Sequence, residues 1–176
     1  MIDEIQKGLE EHLENKRLEF PRFFFLSNDD LLTILAETRD PLLVQPHMKK
    51  CFEGINELIF NNNSDIIGMK SLEKEEITFI ERIQVRSFKS NVEKWLLKVE
   101  DQMIVSITKI MEDSLLDLRS NREKKNDWVR RWPGQVILAI NQLTWTEYAE
   151  EKIFKEGTNG LVRFHKEIQS NIEKIV

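Results

Sequence analysis

The chain has 176 residues, 40% hydrophobic and 32% charged, with 26 Lys and Arg against 31 Asp and Glu and a formal net charge of −5. These are globular values for a chain long enough to bury a core as one domain or two small subdomains, so wholesale disorder is excluded. The acidic balance argues against nucleic acid as the main partner, because the densest basic stretch, Arg119 to Arg131, is broken by Glu123 and Asp127 and reads as a solvated linker.

Residues 2–16 read as a helix, with Ile2, Ile5, Leu9 and Leu13 forming one narrow apolar stripe that Gly8 weakens. The aromatic run Phe20–Leu26 is short and contains Pro21, so it reads as an extended, mostly buried segment. Strand alternation would send Phe24 opposite to Phe23 and Phe25. Ser27-Asn28-Asp29-Asp30 is an N-cap signal for a helix carrying Leu31, Leu32, Ile34 and Leu35 to about Thr38. Asp40-Pro41 repeats the signal. Pro46 predicts a break near Gln45 and a second short helix to Glu53, stopped by Gly54.

The texture then changes. Ile55–Phe60, the turn Asn61–Ser64 and Asp65–Ser71 read as strand, turn and strand, and a turn at Leu72–Glu75 leads to a third strand from Glu76 to Ile80 or a little beyond. Three strands with one apolar face are stable where two are marginal. From Asn91 a helical stripe of Val92, Trp95, Leu96, Val99, Met103, Ile107, Ile110 and Met111 runs for about 25 residues, at the 3.6-residue period of a helix. Residues 119–127 form a charged connector, and Asn126 or Asp127 caps a segment with Trp128 and Trp132. Pro133-Gly134 restarts the chain into a second long helix, about Gln135–Phe154, with Val136, Ala139, Ile140, Leu143 and Ala149 near one face. A turn at Gly157–Gly160 precedes a last helix from Leu161 to Val176. The expected fold class is α+β, mostly α: residues 1–90 hold helices around a small antiparallel sheet, and residues 91–176 a long-helix bundle.

The residues carry no catalytic constellation. His12, His47 and His165 lie far apart, and a closed zinc site needs four suitable ligands. Cys51 lies four residues after His47, but nothing in the sequence orients that imidazole as a base. No glycine-rich loop has the spacing that aims successive amides and a Lys at phosphate. Hence no catalytic, cofactor-binding or metal residue is assigned, and the chain is not expected to be an enzyme. One cysteine rules out an internal disulfide and fits a reducing compartment. No apolar run approaches the roughly 20 residues that cross a bilayer, and Met1-Ile2-Asp3-Glu4 shows no targeting segment. Phe23, Phe24 and Phe25, with Trp95, Trp128, Trp132 and Trp145, are read as structural anchors between packed elements.

Several of these strings occur together and in order. They are Leu13-Glu14-Asn15-Lys16-Arg17, the Phe20–Leu35 block, Asp40-Pro41, Gln45-Pro46-His47, Lys50-Cys51-Phe52-Glu53 and Gly68-Met69-Lys70-Ser71. Val92-Glu93-Lys94-Trp95-Leu96, Trp132-Pro133-Gly134-Gln135 and Gln142-Leu143-Thr144-Trp145-Thr146 follow. Over roughly residues 10–155 the chain resembles dynein heavy chains, more the axonemal than the cytoplasmic members. The resemblance implies the ring-proximal part of the linker, a non-catalytic mechanical arm that couples ATP hydrolysis in a downstream ring to movement, and hence a piece of a longer motor. ATP and Mg would belong to that parent rather than to this chain. The implied partners are the motor's own ring, other dynein subunits and, through the parent, microtubules, with no nucleic acid and no membrane. The implied location is the cytoskeleton of a ciliary or flagellar axoneme. Under this resemblance Asn61, Asn62, Asn63, Glu73, Lys74 and Glu75, on the two hairpin turns, are candidates for contacts with the ring or a partner, against the plainer reading of solvated turns. The alternative function is a free-standing helical adaptor that binds partners through its aromatic surface.

Overall fold

In the computed structural model, residues 2–36, 41–89, 91–120 and 125–173 are described, and they fall into two compact units, residues 1–109 and 110–176. The first unit opens with helix α1 (Ile2–Glu19), whose stripe buries only Leu13; Ile2, Ile5 and Leu9 are exposed. The aromatic run is not extended. Pro21–Phe25 forms a 3₁₀ turn, in which the Phe23 amide donates to the Phe20 carbonyl at 3.0 Å and the Leu26 amide to that of Phe23 at 3.1 Å. Proline at its first position has no N–H to lose there. In a 3₁₀ helix side chains at i and i+3 eclipse, so Phe20, Phe23 and Leu26 all go inward, while Phe24 and Phe25 stay 54% and 72% exposed. The period is three, not two, and this corrects the alternation that a strand would impose.

Ser27 caps helix α2 (Asn28–Ala36) as the sequence predicts. Its Oγ accepts from the Asp30 amide at 3.1 Å and donates to Asp30 Oδ2 at 2.9 Å. The capping role read for Asp40 falls outside the described residues. A 3₁₀ turn, Pro41–Val44, passes into helix α3 (Gln45–Cys51), where Pro46 sits in the first turn and costs no hydrogen bond. The helix stops before Gly54, because Phe52 is already extended while its amide still donates to the Met48 carbonyl.

Strands β1 (Glu57–Phe60), β2 (Ile66–Lys70) and β3 (Glu76–Ile83) form an antiparallel meander in the order β1-β2-β3. Gly68 lies where a Cβ would come 2.5 Å from the Ile77 carbonyl oxygen, so only glycine lets β3 approach there. The β2–β3 register is broken: Gly68 pairs with Thr78 but Ile66 pairs with Ile83, so β3 bulges between them. Helix α4 (Val92–Ser120) then supplies Val92, Trp95, Leu96 and Val99 to the same core as Leu13, Phe20, Phe23, Leu31, Ile34, Met48 and Ile66.

In the second unit, the end of α4 contributes Ile110, Met111, Leu115 and Leu118 to a cluster around Trp128, Val136 and Ile140. Helix α5 spans Lys125–Arg131, so Asn126 and Asp127 lie within its first turn rather than capping it. Pro133, at φ −58 and ψ 142, starts helix α6 (Gly134–Glu156), and the restart read from Pro133-Gly134 is present. Leu143, expected on the buried face of α6, is exposed. Gly157 alone makes the turn to helix α7 (Thr158–Glu173), with a positive φ of 61 that favours glycine. Gly160 is already inside α7, and a Cβ there would lie 2.3 Å from the Lys152 carbonyl oxygen. The fold class is α+β and mostly α, a small antiparallel sheet with long helices.

Candidate functional site

Among the described residues no group of three or more His, Cys, Asp or Glu could hold a metal ion, and no helix is long and apolar enough to cross a membrane. Cys51 is buried, and that burial pushes its thiol up to about 11, so at neutral pH the nucleophilic thiolate is scarce. His47 faces a different group: its Nδ1 is 3.6 Å from Asp30 Oδ1. His12 and His165 are both exposed, on α1 and α7.

The two candidate turns are organised by their own side chains. Asn61 Oδ1 accepts from the amides of Asn63 and Asp65, both at 2.9 Å, and its Nδ2 donates to Asp65 Oδ2. That cage supports Ser64 at φ 62, so Asn61 builds the loop, while Asn62 and Asn63 face solvent. In the other turn Ser71 Oγ accepts from the Glu75 amide at 3.2 Å, Lys74 takes φ 68, and Glu73, Lys74 and Glu75 are exposed. A meander puts successive turns at opposite ends of its middle strand. The two sets are therefore separated by the length of β2, roughly 17 Å for five residues. They do not form one surface.

The aromatic anchors divide. Phe23 packs edge-on against Phe20 with ring centroids 4.9 Å apart, and Trp95 is 1% exposed. Trp128 is buried and its Nε1–H donates to the Ser114 carbonyl at 3.0 Å; Trp132 Nε1–H donates to Asp117 Oδ2 at 2.9 Å. Trp145 is exposed, held at one face by the Phe164 ring. Phe24 and Phe25 are on the surface.

What the sequence reading missed is a set of polar ties that fasten helices to the rest of the first unit. Lys16 on α1 meets Glu93 on α4 at 2.7 Å, with the Glu93 side chain almost fully buried. Burial opposes the charge on Lys16, but hydrogen bonds to Glu19 and Glu93 outweigh it and its pKa is raised. Arg22 donates to Glu100 from both Nε and Nη2 at 3.1 and 2.9 Å and to the Cys51 carbonyl from Nη1, and it lies over the Phe52 ring at 4.6 Å. Gln45 meets the outer edge of β1 with both ends of its amide: Oε1 accepts from the Leu58 amide and Nε2 donates to the Leu58 carbonyl, each at 2.8 Å. On the far edge, the Ile80 amide donates to Ser106 Oγ at 3.0 Å and the Glu81 amide to Gln102 Oε1 at 2.9 Å. Only Gln102 and Ser106 left a trace in the sequence, as polar residues one turn apart beside the apolar stripe of α4.

In the first unit, side chains thus meet backbone groups at Leu58 on one sheet edge and at Ile80 and Glu81 on the other, and ion pairs tie its helices. Residues 1–114 match the family described as "Dynein heavy chain, N-terminal region 2". The whole chain is 49% identical to dynein axonemal heavy chain 12 of Mus musculus and 46% identical to dynein axonemal heavy chain 3 of Homo sapiens. It covers 6% and 4% of those proteins. Over 85% of its length it is 46% identical to 3% of dynein axonemal heavy chain 1 of Homo sapiens. The chain spans a small fraction of the relatives it matches. It belongs to the dynein heavy chain family, and the relatives named here are axonemal members.

Proposed function

We propose that this segment is a non-catalytic mechanical arm, the linker of a dynein heavy chain, which passes displacement from ATP hydrolysis elsewhere in the parent to the motor's cargo. The observation that carries the reading is the match of residues 1–114 to a region of heavy chains that accompanies an unbroken likeness to axonemal members along the whole chain. The physical support is the 29-residue helix α4, with Trp95 buried at its first turns and ion pairs to Lys16 and Arg22 along it. A helix so anchored resists bending better than a loop-rich segment, because its interior is close-packed. In this reading ATP and Mg bind the parent's ring, the partners are that ring, other dynein subunits and microtubules, and the location is the ciliary or flagellar axoneme.

The test is a kink in the arm. Thr108 is an exposed position of α4, and proline there removes a helical hydrogen bond at a cost of roughly 3 kcal/mol. In the parent heavy chain, Thr108→Pro is expected to leave basal ATP turnover intact and to slow microtubule gliding several-fold. Turnover and gliding lost in equal proportion would oppose a purely mechanical role.

A second reading, a free-standing adaptor, draws on Phe25 and Phe154, which are 72% and 93% exposed. An antibody to this segment decides between them: a native polypeptide many times larger than 21.0 kDa supports the arm, and one near that mass supports the adaptor.

A further inference from the structure

In a regular strand successive amides point to opposite sides. Ile80 and Glu81 are consecutive, yet both amides donate to α4, to Ser106 Oγ at 3.0 Å and Gln102 Oε1 at 2.9 Å. The bulge of β3 between its pairings at Thr78 and Ile83 makes this possible, since a bulge re-aims backbone groups away from the ladder. Gln102 and Ser106 are spaced i and i+4, so they lie on one face of α4, and both are buried, at 4% and 1% exposed. Polar side chains in such a place cost stability unless paired, and here each meets a backbone donor.

We propose that the bulge of β3 with Gln102 and Ser106 is a clasp that fixes the axial register of α4 against the sheet. The neighbouring contacts, Val99, Met103 and Ile107 against the core, are apolar and non-directional, and the ion pairs of α4, Glu93 with Lys16 and Glu100 with Arg22, run to α1 and the 3₁₀ turn rather than to the sheet. Hydrogen bonds do not slide: they fail outside a narrow range of distance and angle. A slip of α4 by one turn toward its N-terminus would carry Ser106 to the Gln102 position and bring Ile110, which has no side-chain acceptor, to the Ser106 position. The Ile80 amide would then lose its partner inside the protein. The clasp therefore holds α4 in one register against β3 and makes a pull on α4 reach the sheet. The register is a property of this chain; its use in passing force rests on the mechanical function proposed above.

The experiment uses the full 176-residue chain carrying Gln102→Leu with Ser106→Ala, which keeps the helix apolar and removes both acceptors. Native-state amide exchange is read at Ile80 and Glu81, and optical tweezers pull the chain between attachment sites at Lys74 and Thr108. Exchange at the two amides is expected to rise roughly tenfold or more, with the Met69 and Ile77 amides unchanged, and the unfolding force is expected to fall. Unchanged exchange at Ile80 and Glu81 overturns the clasp. Faster exchange with an unchanged unfolding force overturns its role in register and leaves only a local seal. Gln102→Glu, which retains an acceptor, is expected to restore protection at Glu81 and is the check that lost packing is not the cause. The mechanical function stands or falls separately, on the gliding assay with Thr108→Pro.

Discussion

The two units solve the same problem differently. In residues 1–109 elements distant in sequence share one core: Leu13, Phe20, Ile34, Met48, Ile66 and Trp95 are all almost fully buried in a single cluster. The polar groups around it are tied across long separations, Lys16 to Glu93 and Arg22 to Glu100. In residues 110–176 the buried cluster centres on Trp128, Val136 and Ile140, and much of the rest is an α6–α7 hairpin whose Leu138, Trp145, Ile153 and Phe154 are exposed. The Arg119–Glu147 ion pair there is half-exposed on both sides and contributes little. Burial and long-range ties predict that the first unit is the more stable and that the second opens first.

The largest test of that contrast compares tryptophans. Trp95→Ala should cost roughly 3–5 kcal/mol in urea unfolding, whereas Trp145→Ala, at a 56% exposed site, should cost well under half as much. Equal costs would erase the distinction between the units.

Next is the ion pair at α1. Glu93→Ala removes one of the two carboxylates that meet Lys16 and leaves Glu19 as the other, so a loss of about 1.5–3 kcal/mol, that of a hydrogen bond to a charged group, is expected. Lys16→Met in the same background should recover most of the loss. No recovery would show that Glu93 matters for another reason.

Gly160→Ala sharpens the picture of the second unit. Its Cβ would meet the Lys152 carbonyl oxygen at 2.3 Å, so α6 and α7 must part. A loss of roughly 1–3 kcal/mol is expected for such overpacking, seen as faster amide exchange in α6 and α7 with residues 1–109 unaffected.

The smallest effects concern titration. Hydrogen bonds from Lys50 and then Ser27 hold the Asp30 carboxyl below its ordinary range. A depressed carboxylate stabilises the folded state above its unfolded pKa, and that contribution is lost as pH falls through the folded one. Lys50→Met should therefore make the first unit slightly less stable at neutral pH and flatten its loss of stability below about pH 4. Cys51, raised to about 11 by burial, should resist thiol-labelling reagents in the native chain at pH 7 and react fully in denaturant.

Much of the architecture was legible because it is local. The Ser27 cap, the strands flanking Asn61–Ser64 and Leu72–Glu75, the stripe of α4 and the restart at Pro133-Gly134 depend on residues within a few positions of each other. The Phe20–Leu26 run was misread because an apolar run with proline fits either an extended or a 3₁₀ path, and its period emerges only when Phe20, Phe23 and Leu26 find one core. The stripe of α1 gave an equally strong helical signal but did not tell which of its residues would be covered.

What the sequence by itself determined is the order of the elements, the type of most of them, and the family. These follow from short-range propensity and from strings of residues that survive without reference to space. Only the tertiary structure decided that Gln45 closes one edge of the sheet, that Gln102 and Ser106 grip the bulged edge of β3, and that Lys16 meets Glu93. Those partners lie 13 to 77 positions apart. A hydrogen bond between them is set by where the core places the backbone, and no local pattern carries that information.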